Sequence, residues 1–451
     1  MNPLVARRAR CGRSLGERRT AAGSPYAGAA NGQDVDGLDL LRRVWRPGEP
    51  AAFLDGPSPF VGVAPSAALC VREGRVWRRE GAAWRDAGET PWDAMRAFLR
   101  GGLRTVALLS YDAGRLVERL PSLARDDTAL PQVVLLRFDA GWVGGELRGD
   151  EGALAERAKG DPLPLPRGAV GPVEPSMPRE AFEAMVRRAQ ERVREGDVFQ
   201  VNLSHRLEAD CTLHPLDLFA RLSRANPAPF RAFLQTGPLP GDPEGFHVVS
   251  ASPERLVRVE AGRVEARPIA GTRRRGATPE EDAALAAELA SDGKERAEHA
   301  MMVDLARNDL GRVARFGSVR VPRFSAVETY RTVHHLVSTV EGALAPGRDA
   351  VDVLRALFPG GTITGAPKVR AMEVIEELEP VRRGVYTGSL GWIAPGGDMD
   401  LNILIRTLLV KRGRVHLQVG AGIVEESDPA REWEETLAKA QGVLLALGAA
   451  P

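Results

Sequence analysis

The chain has 451 residues, enough for one large unit or two to three ordinary domains. Its 61 basic and 60 acidic residues leave a net charge of +1, so no global field draws in nucleic acid or an anionic membrane, and partners must be recognised locally. Cys11, Cys70 and Cys211 are far apart and form no CxxC arrangement, and no apolar run approaches the ~18 residues of a membrane span; this argues against a disulfide framework, a thiolate metal site and a membrane helix, and for a cytoplasmic enzyme.

In chain order, residues 1–36 are rich in Arg, Gly, Ala and Ser without apolar periodicity and read as a disordered extension. From 37 to 160, strand-like runs such as Ala68–Val71 and Val133–Leu136 alternate with turns, and Trp92–Leu99 reads as a helix, giving an N-terminal α/β subdomain. Six prolines between 158 and 178 mark an exposed linker at 161–177. The remainder, 178–451, carries stronger signals: a helix over Arg179–Glu195 stopped by Gly196, a strand over Val198–Leu203 and one or two helices over Glu281–Arg307. Further helices follow over Lys368–Leu378, with Pro367 in the first turn and Pro380 beyond the end, and over Arg431–Leu447. Strands lie between these helices without strict βαβ alternation, which predicts an α+β fold rather than a doubly wound parallel sheet.

Only five of the 61 basic residues are lysines, so a lysine here can be a specific choice of a compact ammonium over a planar fork. Glu295 and Glu298 share a helix face, as do Glu432 and Glu435. Each pair alone suits a solvated surface. The apolar residues that follow, Met301–Val303 and Leu437, partly bury both helices, however, and buried carboxylates need a counter-charge. Hard oxygen donors without Cys or His describe Mg2+ rather than Zn2+, and Lys439 stands one turn after Glu435. The glycine-rich run Phe358–Lys368 fits neither a phosphate-loop nor a dinucleotide fingerprint, yet a turn running into a helix start offers N–H groups to a small carboxylate. Gln200, Glu254, His335 and Arg406 are single polar residues in strand-like surroundings. Each could be structural; together they supply an acid, a base or donor, and a carboxylate clamp.

Taken in order, Pro268–Thr272, Asp304–Asp309, Val333–Ser338, Phe358–Met372, Ile405–Thr407 and Gly420–Val424 resemble the synthase subunits that act on chorismate, over roughly 178–445. That family comprises anthranilate synthase component I, aminodeoxychorismate synthase component I, isochorismate synthase and salicylate synthase. The resemblance implies two facing antiparallel β-sheets with helices packed outside. It also implies that Glu298, Glu432 and Glu435 hold Mg2+ and that Glu254 is the general acid for the departing C4 hydroxyl. Arg406 and Tyr386 would grip the enolpyruvyl carboxylate, and the backbone of Gly420, Ala421 and Gly422, with Thr362 and Lys368 nearby, would hold the ring end. His335 would lie beside the reacting ring.

Isochorismate and salicylate synthases activate water with a lysine at the position of Gln200, so the resemblance implies ammonia as nucleophile and a glutamine amidotransferase partner to deliver it. Phe358–Gly365, the doubled His334–His335, Ser110–Arg115 and the missing tryptophan-feedback segment, with Phe53–Gly56 in its place, resemble aminodeoxychorismate synthase, which serves folate synthesis. Ala270 resembles anthranilate synthase instead, because some aminodeoxychorismate synthases carry a lysine there.

Overall fold

The computed structural model describes residues 34–149, 152–330 and 333–449. The extension expected at 1–36 lies outside them, except that a helix over Asp34–Val44 opens the described chain. Alternation along the strands explains the architecture. In Arg104–Leu109, Val106 and Leu108 join one apolar core while Ala107 and Leu109 join another on the opposite face. A strand buried on both faces needs cover on both. Here one face meets a second sheet and the other meets helices.

The described residues form an 11-stranded and a 12-stranded sheet, each paired antiparallel throughout. Between them lies a core that includes Phe60, Phe138, Leu234, Val248 and Leu390. The helices Asp34–Val44, Pro215–Ala225 and Pro429–Leu447 cover the outer face of the first sheet. Pro91–Phe98, Gly293–Gly311 and Ala350–Leu357 cover the second. This is the α+β arrangement of two facing antiparallel sheets expected from the sequence.

The residues on either side of 161–177 do not form separate sheets. Ala51–Leu54 pairs with Phe230–Gln235, and Arg104–Leu109 pairs with Ser389–Ile393, so both sheets draw strands from both parts of the chain. Local signals placed most elements well. Arg179–Arg194 ends before Gly196, whose φ of +80° suits a residue without Cβ. The long helical stretch is two helices, Pro279–Ser291 and Gly293–Gly311, divided at Asp292, whose carboxylate caps the second by accepting from the N–H groups of Lys294 and Glu295. Lys368–Leu378 has the expected bounds, and Pro429–Leu447 runs from an Asp428 cap to Gly448 at φ +79°.

Candidate active site

Two chain crossings between the sheets build the centre of the site. Pro253 and Glu254 join His247–Ser252 of one sheet to Arg255–Glu260 of the other, and residues 403–406 return from Met399–Asn402 to Thr407–Lys411. The crossings are tied together: Ile403 N donates to Glu254 O (3.0 Å), Ala251 N to Arg406 O (3.2 Å), and Ser252 Oγ to Ile403 O (2.5 Å). Glu254 and Arg406 are thus brought side by side from positions 152 residues apart in the chain.

Glu254 is buried, and Thr362 Oγ1 donates to its Oε1 at 2.6 Å. Burial pushes its carboxyl up to about 7, against the opposing pull of the Thr362 hydrogen bond and of the Arg406 and Lys439 charges. A carboxyl in that range can hold a proton at neutral pH and give it away. Arg406 is desolvated, which lowers its pKa, and Glu254 is the charge that opposes the shift. Its guanidinium has no hydrogen-bonded acceptor among the described residues. Its backbone is left-handed, at φ +52°. A half-buried, desolvated fork without an acceptor, on a residue with left-handed backbone, suits a carboxylate ligand.

His335 lies across from these on the strand Val333–Ala343, where its Nδ1 meets Gly271 O (3.3 Å) and Thr272 Oγ1 (3.0 Å). The carbonyl can only accept, so Nδ1 carries the proton and Nε2 keeps its lone pair. Burial, assisted by Arg406, lowers the ring to about 4, so His335 is neutral at pH 7. Tyr330 stands edge-on to it at 5.6 Å.

The opposite wall is the strand Arg414–Ile423, with Gly420, Ala421 and Gly422 facing Ser204, Leu203 and Asn202 across the ladder. A Cβ on Gly420 would stand 2.6 Å from Tyr386 Oη and 2.5 Å from Leu203 O, and one on Gly422 would collide with Gln200 Nε2. The glycines admit those side chains against the backbone. Gln200 Oε1 is buried without a partner among the described residues. Tyr386 is buried under Arg383, whose Cζ lies 5.5 Å from its ring.

Two expected residues have partners within the chain. Lys368 Nζ is bonded to Asp309 Oδ2 (2.6 Å) and Leu357 O (3.3 Å), so its charge is committed to anchoring its own helix start; the ammonium whose charge reaches Glu254 is that of Lys439. Thr362 donates its hydroxyl proton to the acid. The sequence reading also passed over a buried tie. Arg383 donates to both Glu379 oxygens, to Asn202 O (2.5 Å) and to Ile363 O (2.9 Å), while Glu379 Oε1 accepts from Ser204 N and Oγ. It locks the Thr362 turn to the strand Gln200–Asp210. The i,i+4 spacing of Glu379 and Arg383 was the available signal.

Glu298 and Glu432, on different helices, are both pushed up, first by burial and then by neighbouring carboxylates that for each include Glu435. Glu295 is drawn away by Arg273 (3.1 Å). Lys294 lies 3.8 Å from Glu298, and Lys439 2.6 Å from Glu435. No three carboxylate, imidazole or thiolate groups close into a ligating cluster among the described residues. The donor chemistry nonetheless fits a hard divalent cation: three carboxylates from two helices, all oxygen, with Glu298 and Glu432 half-buried and Glu435 exposed beside Lys439.

An acid that can stay protonated, beside a desolvated arginine where the chain crosses between two facing sheets, suits acid-assisted chemistry on a small carboxylate. The chain belongs to the chorismate-binding enzymes: the family model of that description matches residues 61–445. It is 42% identical over 365 residues to aminodeoxychorismate synthase component 1 of Bacillus subtilis, covering 76% of each chain. It is 46% identical over 361 residues to anthranilate synthase component 1 of Thermus thermophilus, covering 76% of this chain and 77% of that one. Its fold matches the crystal structure of anthranilate synthase component I from Streptococcus pneumoniae with a TM-score of 0.74 and 32% identity, over 87% of this chain and 92% of that one. The protein is therefore a chorismate-utilising enzyme. No helix among the described residues is long and apolar enough to cross a membrane.

Proposed function

We propose that the chain aminates chorismate to 4-amino-4-deoxychorismate, a step toward 4-aminobenzoate and folate, using ammonia from a glutamine amidotransferase subunit. The observation that carries amination over hydration is Gln200. Where water-using relatives place a lysine, an amide packs against Gly422, and an amide cannot deprotonate water at neutral pH. In favour of the 4-amino product, Phe53 and Leu54 are buried in the two cores flanking their strand, and Asp55 is paired with Arg231 (2.6 Å) of the neighbouring strand, so the side chains of the segment standing where tryptophan-feedback residues would be are engaged within the fold. Ala270 favours the second reading, anthranilate synthase component I. It pairs with Leu336 beside a bulge and offers no nucleophile to the ring.

In this reading Arg406 binds the enolpyruvyl carboxylate and Tyr386 borders it. The Gly420–Gly422 backbone lies under the ring end. Glu254 gives its proton to the C4 hydroxyl as the C–O bond breaks, and Thr362 fixes the carboxyl for that transfer. Neutral His335 flanks the ring with a lone pair on Nε2. Glu298, Glu432 and Glu435 would hold Mg2+, which when bound neutralises the ring carboxylate. Positioning and electrostatics, rather than covalent chemistry by the protein, supply the acceleration.

The test is to incubate the chain with chorismate, Mg2+ and an ammonium salt, with and without an aminodeoxychorismate lyase, and identify the aromatic product. 4-Aminobenzoate formed only with the lyase supports the proposal. Anthranilate formed without it assigns the second reading.

A further inference from the structure

The side chains of Arg383 and Glu379 are only 1% and 2% exposed. The guanidinium uses all five of its N–H donors: Nε and Nη2 on Glu379 Oε2 and Oε1 (3.0 and 2.7 Å), Nη1 on Ile363 O (2.9 Å) and Thr387 Oγ1 (3.3 Å), and Nη2 again on Asn202 O (2.5 Å). Each acceptor adjoins a residue of the site. Ile363 follows Thr362, which bonds the acid; Thr387 follows Tyr386; Asn202 faces Gly422 across the ladder; and Glu379 Oε1 accepts from Ser204, which faces Gly420. Segments distant in the chain thus meet on one planar fork.

Stability alone does not account for such a pair, because desolvating two buried charges costs about what their attraction returns, and packed apolar side chains would fill the same space. What apolar side chains lack is direction. Five bonds from a rigid fork fix where the carbonyls of the turn and the strand stand. The turn Gly361–Ile363 is gripped at two points: Arg383 holds Ile363 O, and Asn202 N donates to Thr364 O (2.8 Å) just beyond it. Between that grip and the acid there is one hydrogen bond, from Thr362 Oγ1 to Glu254 Oε1 at 2.6 Å. We propose that Arg383, held by Glu379, is a positioning residue for the acid: through the Ile363 carbonyl it keeps the Thr362 hydroxyl in place against Glu254. This rests on Glu254 being the acid.

The test measures kcat and KM for chorismate against pH, using the full chain with Mg2+ and ammonium, in Arg383→Lys, Thr362→Val and the double variant. An ammonium has fewer donors than the fork and no plane, so it cannot hold every acceptor at once. Burial raises the Glu254 carboxyl, and of the groups facing it that draw it back down Thr362 comes ahead of Arg406 and Lys439, so releasing Thr362 raises it further. Arg383→Lys should therefore lower kcat about tenfold through a misplaced acid, with a smaller change in KM because Arg406 is untouched. The basic limb of kcat should move up by about one pH unit, the least that a hydrogen bond to a charged oxygen is worth. Thr362→Val should move it equally, and the double variant no further. A role in folding alone would lower the melting temperature and leave the limb in place; that result in folded Arg383→Lys, or additive displacements in the double variant, overturns the proposal. If Arg383→Lys does not fold, Glu379→Gln takes its place: the amide keeps an oxygen for Ser204 but loses the acceptor for Arg383 Nε, so a limb displaced upward is again expected and an unmoved one is fatal. Glu254→Gln run alongside separates the two claims. If it loses kcat while the limb of Arg383→Lys stays put, only the positioning role falls; if it keeps kcat, the acid assignment falls and the positioning role with it.

Discussion

Glu254 sets the pH behaviour at the scale of the single residue. Its carboxyl lies at about 7 in the folded chain against an ordinary 4.5. The protonated form therefore dominates below pH 7, and kcat for C–O cleavage is expected to fall as pH rises through 7, measurable as the basic limb of the profile. The same shift acts on stability. A carboxyl raised by folding contributes fully below about 4.5 and loses its contribution as pH rises through 7, a difference on the order of 3 kcal/mol by pH 8. Glu254→Gln should consequently unfold at a higher temperature than the unmodified chain at pH 8 and show little difference at pH 4; equal midpoints at pH 8 would contradict the burial argument. Arg406→Lys keeps a charge but loses the fork, and KM for chorismate is expected to rise about tenfold with a smaller change in kcat. Arg406 was legible as an arginine in a strand-like run; its missing acceptor and left-handed backbone were not, because both depend on the neighbouring crossing.

The helix Pro429–Leu447 and the strand Arg414–Ile423 carry the next scale. His205, on the strand Gln200–Asp210, stacks on Trp433 at 4.3 Å and bonds to Thr436 Oγ1 at 2.8 Å, which fixes the rotation of the helix bearing Glu432 and Glu435. In the proposed metal site Glu435→Gln should abolish turnover and raise the Mg2+ concentration needed for chorismate to bind, read by calorimetry; unchanged Mg2+ dependence would remove Glu435 from the site. On the strand, Gly422→Ala is expected to displace Gln200 and cut kcat/KM at least tenfold, since a misplaced first contact costs of order 1–3 kcal/mol. Far-ultraviolet circular dichroism should stay unchanged. Helix bounds were readable from periodicity and flanking Pro and Gly, as Lys368–Leu378 illustrates, whereas the last helix starts at Pro429, two residues before the Arg431 read from the sequence. The functional glycines were not readable as such, because a collision with Gln200 or Tyr386 is a property of the paired strands.

Across the whole molecule the two sheets are shared by the chain's early and late parts. Removing residues 37–160 would take Ala51–Leu54 and Arg104–Leu109 out of the interior of both sheets and strip apolar surface from the core between them. The isolated segment 178–451 is therefore expected to show no cooperative thermal transition; a cooperative one would mean the catalytic part folds alone. The sequence by itself determined what is local: helices with caps and periodicity, α+β character from the order of elements, and motifs whose resemblance identifies a chorismate-using family. Only the tertiary structure decided which residues meet. It set Glu254 beside Arg406 on paired crossings, committed Lys368 to Asp309 and turned Thr362 toward the acid. The reason is physical. Periodicity and capping act over one or two turns of chain, whereas desolvation, ion pairing and strand register depend on what packs from more than a hundred residues away.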